Sequence, residues 1–196
     1  MKEKTDTQEI IAQSFRELTL KKERDKISIT DIMKQADFRR QTFYDYFDDK
    51  YDLVTWIFSH ELYQSIQSIM DWQNWEEILW QLLTYLESNN KYYRKIFLDI
   101  KLDSFKEYFI YSIKKIIKQL VDDYFKEQFL SLEKKQMIQT ATDFYSYGLS
   151  ESLYHWVLEN CEPNSKHYHA MLVKLVNCRS KSNEHTTILS GKGKDK

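Results

Sequence analysis

Between Met1 and Val176 the chain carries one glycine, Gly148, and one proline, Pro163; its other two glycines, Gly191 and Gly193, fall within the last six residues. Average usage would place about 14 glycines and about 10 prolines in a chain this long. Strand-rich folds need many turns, and turns draw on both residues for backbone angles that others resist. That scarcity argues against a sandwich, a barrel, or a doubly wound sheet with a phosphate loop. Long helices joined by short polar links remain, so the expected class is all-α.

Hydrophobic residues make up 42% and aromatics 15% of the sequence, enough for a core and unlike a chain disordered throughout. The length suits one domain or one with a small appendage. No run of about 18 apolar residues exists to span a membrane. The opening MKEKTDTQEII has no signal-peptide pattern. Cys161 and Cys178 offer neither a disulfide framework nor metal-ligand spacing, so a reducing, cytoplasmic setting is expected. His60, His155, His167, His169 and His185 show no metal spacing, and no catalytic triad or glycine loop can be assembled. The expectation is therefore a non-enzyme without cofactor or metal.

Charge gives no global pointer to nucleic acid. Residues 1–50 hold 11 Lys and Arg against 11 Asp and Glu, residues 51–176 hold 13 against 17, and residues 177–196 hold 5 against 2. A DNA role must rest on local placement, since binding domains usually show as basic.

Apolar spacing maps the helices. A first helix is expected from a capping-box pattern, Thr5 to Gln8, with Ile10, Ile11, Phe15 and Leu18 inward, followed by a charged link over 21–26. A second box, Ser28 to Asp31, opens a short helix with Ile29, Ile32, Met33 and Ala36. Another short helix is placed near Arg40–Tyr46, anchored by Phe43 and Phe47. Asp48 and Asp49 suit the N-terminus of a helix over about 50–70. After a break at 71–74 come helices from Trp75 to the Ser88-Asn89-Asn90 cluster, over 91–102 with Phe97 and Leu98 inward, from Asp103 or Ser104 to about Phe129, and over about 132–160. Pro163 is placed in the first turn of a last helix holding Met171, Leu172, Leu175 and Val176. From Asn177 the pattern stops. About nine helices result, divided as a DNA-binding unit over 1–48, a regulatory and dimerisation bundle over 49–177, and a disordered tail over 178–196.

The informative segment is SITDIMKQADFRRQTFYDYF, residues 28–47. Two short helices separated by about four residues match a helix-turn-helix, whose second helix presents its first side chains to a major groove. Ile29, Ile32, Met33, Ala36, Phe38, Phe43 and Phe47 pack the pair. Arg39, Arg40, Gln41, Thr42 and Tyr44 face outward. Arginine suits guanine edges or phosphate, glutamine suits adenine edges, and hydroxyls suit phosphate oxygens. Arg40 and Gln41 are the expected base readers, and Arg39 fits either role. An antiparallel helix pair with a solvated polar face is the alternative from composition alone.

Residues 36–53, ADFRRQTFYDYFDDKYDL, resemble the recognition-helix region of the TetR family of transcriptional regulators. The matching positions are Ala36, Thr42-Phe43-Tyr44, Phe47, Lys50 and Leu53, with Ser28-Ile29-Thr30 and Ile32 resembling the start of the preceding helix. The resemblance implies double-stranded operator DNA as partner and Thr42, Tyr44 and Lys50 as phosphate contacts. Ser28, Thr30 and Tyr46 complete the DNA-facing set. It also implies a homodimer through the last two helices, where Gly148, Ser152, Trp156, Met171 and Leu175 are the expected interface residues. Two departures stand out: Asp37 where the family commonly has glycine, and Arg39 where it has a hydroxyl cap. The pattern Arg-Gln-Thr-Phe-Tyr followed by Lys-Tyr-Asp-Leu is similar to one branch, the regulators of dihydroxyacetone-kinase operons. That likeness implies an activator working with a coactivator protein related to a kinase subunit. A small-molecule-gated repressor and a helical interaction module without DNA binding are the alternatives.

Behind residue 60 there is no motif. Tyr92, Tyr93, Tyr108, Tyr111, Tyr124, Tyr145, Tyr147, Tyr154 and Trp156 suit either a ligand cavity or, preferably, a bundle core or subunit interface.

Overall fold

The computed structural model describes residues 2–21, 27–99, 103–126 and 128–186. Among them are nine α-helices and no strand: α1 (Lys2–Lys21), α2 (Ile29–Gln35), α3 (Arg40–Tyr44), α4 (Lys50–Ile66), α5 (Trp75–Ser88), α6 (Asn90–Phe97), α7 (Asp103–Phe125), α8 (Leu132–Leu158) and α9 (Ser165–Thr186). Two 3-10 turns, Gln67–Ile69 and Trp72–Asn74, fill the break between α4 and α5. None of these helices is long and apolar enough to cross a membrane.

The first three helices pack on one another, α1 against α2 and α2 against α3. Helix α4 leaves this group and packs on α5 and α7, while α7 lies along α8 and α5 along α9. The interior is continuous from end to end: Ile11, Phe15, Ile32 and Phe43 belong to the same buried cluster as Phe58, Leu83, Phe105 and Val157. At its centre, aromatic rings from three helices, α4, α6 and α7, meet. Phe58, Tyr93, Phe97, Phe105 and Phe109 pack with ring centroids 5.2–6.4 Å apart.

Local starts and stops follow side-chain chemistry. Asp49 caps α4, accepting from the Asp52 backbone N–H at 2.9 Å. Asp71 caps the second 3-10 turn through the N–H of Asn74 at 3.1 Å, and Ser131 caps α8 through that of Lys134 at 3.2 Å. Each carboxylate or hydroxyl satisfies a donor that the helix itself leaves unpaired.

Several expectations are revised. Helix α1 is already formed at Lys2, so Thr5 lies within it; Lys2, Glu3 and Lys4 are good helix formers and carry the helix past the box-like pattern. Ile10 is exposed, because only Ile11 of that adjacent pair shares the inward face with Phe15 and Leu18. Leu98 is 39% exposed, since α6 ends at Phe97 and the chain turns outward there. Helix α7 stops at Phe125 and Phe129 is fully exposed. Pro163 precedes the last helix instead of opening it: Asn164 Oδ1 accepts from the His167 N–H at 3.0 Å and caps α9. The last helix continues to Thr186, past the boundary expected at 177. Most of the charged link, at 22–26, and the end of the expected tail, 187–196, lie outside the described residues.

Candidate nucleic-acid interface

Helix α2 opens with the expected capping box. The Asp31 N–H donates to Ser28 Oγ at 3.1 Å, and the Ser28 N–H donates back to Asp31 Oδ2 at 2.9 Å. The Ser28 hydroxyl itself donates to that carboxylate at 2.8 Å, so it serves the helix start. Two donors that α2 would leave unpaired are thus satisfied reciprocally.

The end of α2 explains the tight turn. The Phe38 N–H reaches back to the Met33 carbonyl at 2.9 Å, and the Asp37 N–H to that of Lys34 at 3.4 Å. This pair of bonds is the Schellman arrangement, which requires its central residue in the left-handed region and usually puts glycine there. Here Asp37 takes that conformation at φ 59°. The turn thus keeps the backbone geometry associated with glycine while carrying a side chain. Phe38, just beyond, is half-buried against the core.

Helix α3 then begins at Arg40, and the residue before it, Arg39, makes no side-chain capping bond. Asp37 therefore does not replace the missing hydroxyl. Phe43 is fully buried and turns α3 onto the core, where its ring meets Phe47 at 5.6 Å and Phe47 meets Trp56 at 5.8 Å. With Phe43 inward, Arg39, Arg40, Gln41 and Tyr44 are left exposed, as is Thr30 on α2. Arg40 and Tyr44, one helical turn apart, touch: Arg40 Nη2 donates to the Tyr44 hydroxyl at 3.1 Å, with the guanidinium 5.8 Å from the ring centroid.

The remaining expected contacts sit deeper. Thr42 and Tyr46 are half-buried, Tyr46 packing on the core. Lys50, at the first turn of α4, is also half-buried, and its ammonium donates to the Ile27 carbonyl at 2.9 Å. It ties the start of α4 to the segment entering α2. Of the nearby acids, Asp49 is engaged as a cap, while Asp45 and Asp48 are exposed beside the basic side chains.

Behind this unit, α8 and α9 each leave apolar side chains uncovered. Met137, Phe144 and Tyr145 on α8 and Met171, Leu175 and Val176 on α9 are exposed, Phe144 by 69% and Leu175 by 67%. Gly148 and Ser152 are exposed on α8, and a Cβ at Gly148 would meet nothing within 4 Å. Trp156 is different. It is 3% exposed, donates Nε1–H to the Pro163 carbonyl at 2.7 Å and stacks on Tyr168 at 5.0 Å. It is an internal residue of the α8–α9 corner and leaves the expected interface set.

The aromatic group of the bundle divides similarly. Tyr92 and Tyr93 are buried, Tyr108 and Tyr154 pack partly on the core, and Tyr111, Tyr124, Tyr145 and Tyr147 are exposed. Tyr63, beside Tyr108 and Tyr111 on α7, is pushed up to about 12 by burial and by those neighbours. One polar cluster was not anticipated: Arg16 of α1 reaches Glu61, Tyr85, Asn89 and the ring of Tyr92. The available signal was its position four residues after Ala12 and three before Thr19, a stripe of α1 that is otherwise buried.

These features define the class: a helix-turn-helix unit, with its basic and hydroxyl side chains outward, mounted on an all-helical bundle. The chain belongs to the TetR family of transcriptional regulators, its residues 73–178 matching the family's "Transcriptional regulator C-terminal region". It is 36% identical over 121 residues to the HTH-type dhaKLM operon transcriptional activator DhaS of Lactococcus lactis subsp. lactis (strain IL1403). That alignment spans 62% of this chain and 64% of the relative's length. A solved structure of a dihydroxyacetone kinase operon activator DhaS superposes with a TM-score of 0.69 at 28% identity, covering 89% of this chain and 96% of that one.

Proposed function

We propose that this chain is a dimeric, sequence-specific DNA-binding regulator that activates a dihydroxyacetone-kinase operon together with a coactivator protein related to a kinase subunit. Its units are a DNA-binding part over 1–48 and a regulatory and dimerisation bundle behind it. The observation that carries the DNA role is the exposed quartet Arg39, Arg40, Gln41 and Tyr44 on a helix held by Phe43 behind a Schellman turn. Arg40 and Gln41 read base edges, Arg39 takes either a base or a phosphate, and Thr42, Tyr44 and Lys50 contact phosphates, with Ser28, Thr30 and Tyr46 around them.

The likeness to an operon activator supports the sign of regulation. The centre of the bundle, occupied by close-packed rings of Phe58, Tyr93, Phe97, Phe105 and Phe109, favours a protein partner over a small molecule. The uncovered face of α8 and α9 suits the second copy, because one recognition helix offers too few contacts for specific affinity and two-fold dimers read two half-sites.

Gel shifts on the promoter next to the chain's own gene test this reading, with and without candidate coactivators. Arg40→Ala is expected to cost about 1–3 kcal/mol and relax specificity at one base pair, whereas Tyr44→Phe weakens binding evenly across sequences. A specific shift that a metabolite abolishes without any protein partner would contradict the activator reading. The absence of any specific shift would remove the DNA role.

A further inference from the structure

Helix α1 belongs to the helix-turn-helix unit, yet its second half is bolted to the bundle. Arg16 is the centre of that joint, with a side chain only 13% exposed. Nη1 donates to Asn89 Oδ1 at 2.7 Å, at the corner between α5 and α6. Nη2 donates to Glu61 Oε2 on α4 and to the Tyr85 hydroxyl on α5 at 3.4 Å. The guanidinium carbon lies 4.6 Å from the centroid of the Tyr92 ring on α6. The acceptors are themselves held: the Tyr85 hydroxyl donates to Glu61 Oε2 at 2.9 Å and shares a hydrogen bond with the buried Tyr93 hydroxyl. One turn further, Lys95 of α6 donates to the carbonyls of Thr19 at 2.6 Å and Leu20 at 3.0 Å, closing the C-terminal end of α1.

This geometry is specific in a way apolar packing is not. A guanidinium presents a fixed fork of donors, so Asn89, Glu61 and Tyr85 together allow α1 one rotation and one depth against three helices. Burial opposes the charge of Arg16, but Tyr93, Tyr85 and Glu61 outweigh it, and the guanidinium stays protonated. On the other side of α1, the Gln35 side chain of α2 donates to Glu17 at 2.9 Å and to the Ser14 carbonyl at 3.4 Å. Whatever fixes α1 therefore fixes α2, and through the Asp37 turn, α3.

We propose that Arg16, assisted by Lys95, is a positioning residue that sets the angle of the helix-turn-helix unit on the bundle, and so the separation of the half-sites that a dimer reads. This rests on the reading of the chain as a dimeric DNA-binding regulator. Arg16 touches no DNA; it acts through α1. Half-site separation is a geometric property of a dimer, so the joint governs which spacers are accepted and leaves the preferred bases of each half-site alone.

The test uses the purified full chain and duplexes carrying two copies of its selected half-site with spacers varied one base pair at a time. Arg16→Met keeps length and apolar cover while removing the fork. Wild-type protein is expected to favour one spacer, and Arg16→Met to flatten that preference by roughly tenfold with unchanged bases in each half-site. Lys95→Met should flatten it less, and takes the place of Arg16→Met if that variant does not fold. A folded variant with the wild-type spacer profile would overturn the proposal. If wild-type protein selects no DNA, the regulator reading fails, and the joint is judged by spin-label distances in Asp45→Cys/Glu133→Cys protein carrying Cys178→Ser. There a narrow distribution that Arg16→Met broadens supports the joint, and an unchanged one overturns it.

Discussion

Asp37 shows how one residue reconciles composition with geometry. A chain nearly without glycine still needs a left-handed residue between α2 and α3, and aspartate tolerates that region better than most because its short polar side chain can bond locally. The expected outcome is graded. Asp37→Gly should leave the urea midpoint unchanged or raise it, while Asp37→Val should cost roughly 1–2 kcal/mol. Equal effects of the two would contradict the assignment. The departure from glycine was visible in the sequence; that the position keeps a positive φ was not, since it depends on the two backbone hydrogen bonds that close the turn. Arg16 was missed for a related reason. A charged residue in a helix normally reads as solvated, and its acceptors come from positions 45, 69 and 73 residues away.

At the scale of elements, α8 carries two opposed faces. Thr142, Ser146, Ser150, Leu153 and Val157 are buried, and small side chains among them suit the close lie of α7 along α8. The opposite face holds Met137, Phe144 and Gly148, and α9 separately exposes Met171 and Leu175. The even spacing of 148, 152 and 156 put Trp156 on the same stripe. The fold separates it, because Asn160 and Cys161 take positive φ of 61° and 57° and return the chain over the Trp156 ring. Periodicity finds a stripe along a helix but not the point where the next helix covers it. Light scattering provides the check on this face. Wild-type protein is expected at the mass of two chains, and Leu175→Glu with Phe144→Glu at the mass of one, with helical content retained. A wild-type protein of single-chain mass, or a double variant that stays paired, would contradict the proposed interface.

Across the whole molecule, the helical class, the two short helices α2 and α3 and the long α7, α8 and α9 were legible from apolar spacing and the lack of breakers, whereas α1, expected short, runs for 20 residues. The single continuous core was not legible, because it depends on how α1, α4 and α6 meet. That core buries several tyrosines, with a consequence for alkaline stability. Burial pushes the hydroxyls of Tyr85, Tyr92 and Tyr93 well above their ordinary values, and Tyr63 to about 12. Unfolded tyrosines titrate near pH 10, so the folded chain holds these protons more tightly. Their contribution is fully present below about pH 10 and is lost as pH rises through the folded values. Urea midpoints should therefore fall from pH 9.5 to pH 11, at about the unfolded tyrosine range and beyond. A midpoint that stays level over that interval would place these rings in water instead.

Reading of DNA by α3 from a paired protein is tested by selection of sites from a random duplex pool with the purified full chain, alone and with a protein related to a dihydroxyacetone-kinase subunit. The expected result is two related half-sites about one helical turn apart, affinity that falls steeply with salt, and transcription from the selected site that rises only when the partner protein is present. Recovery of no common sequence under either condition would contradict it.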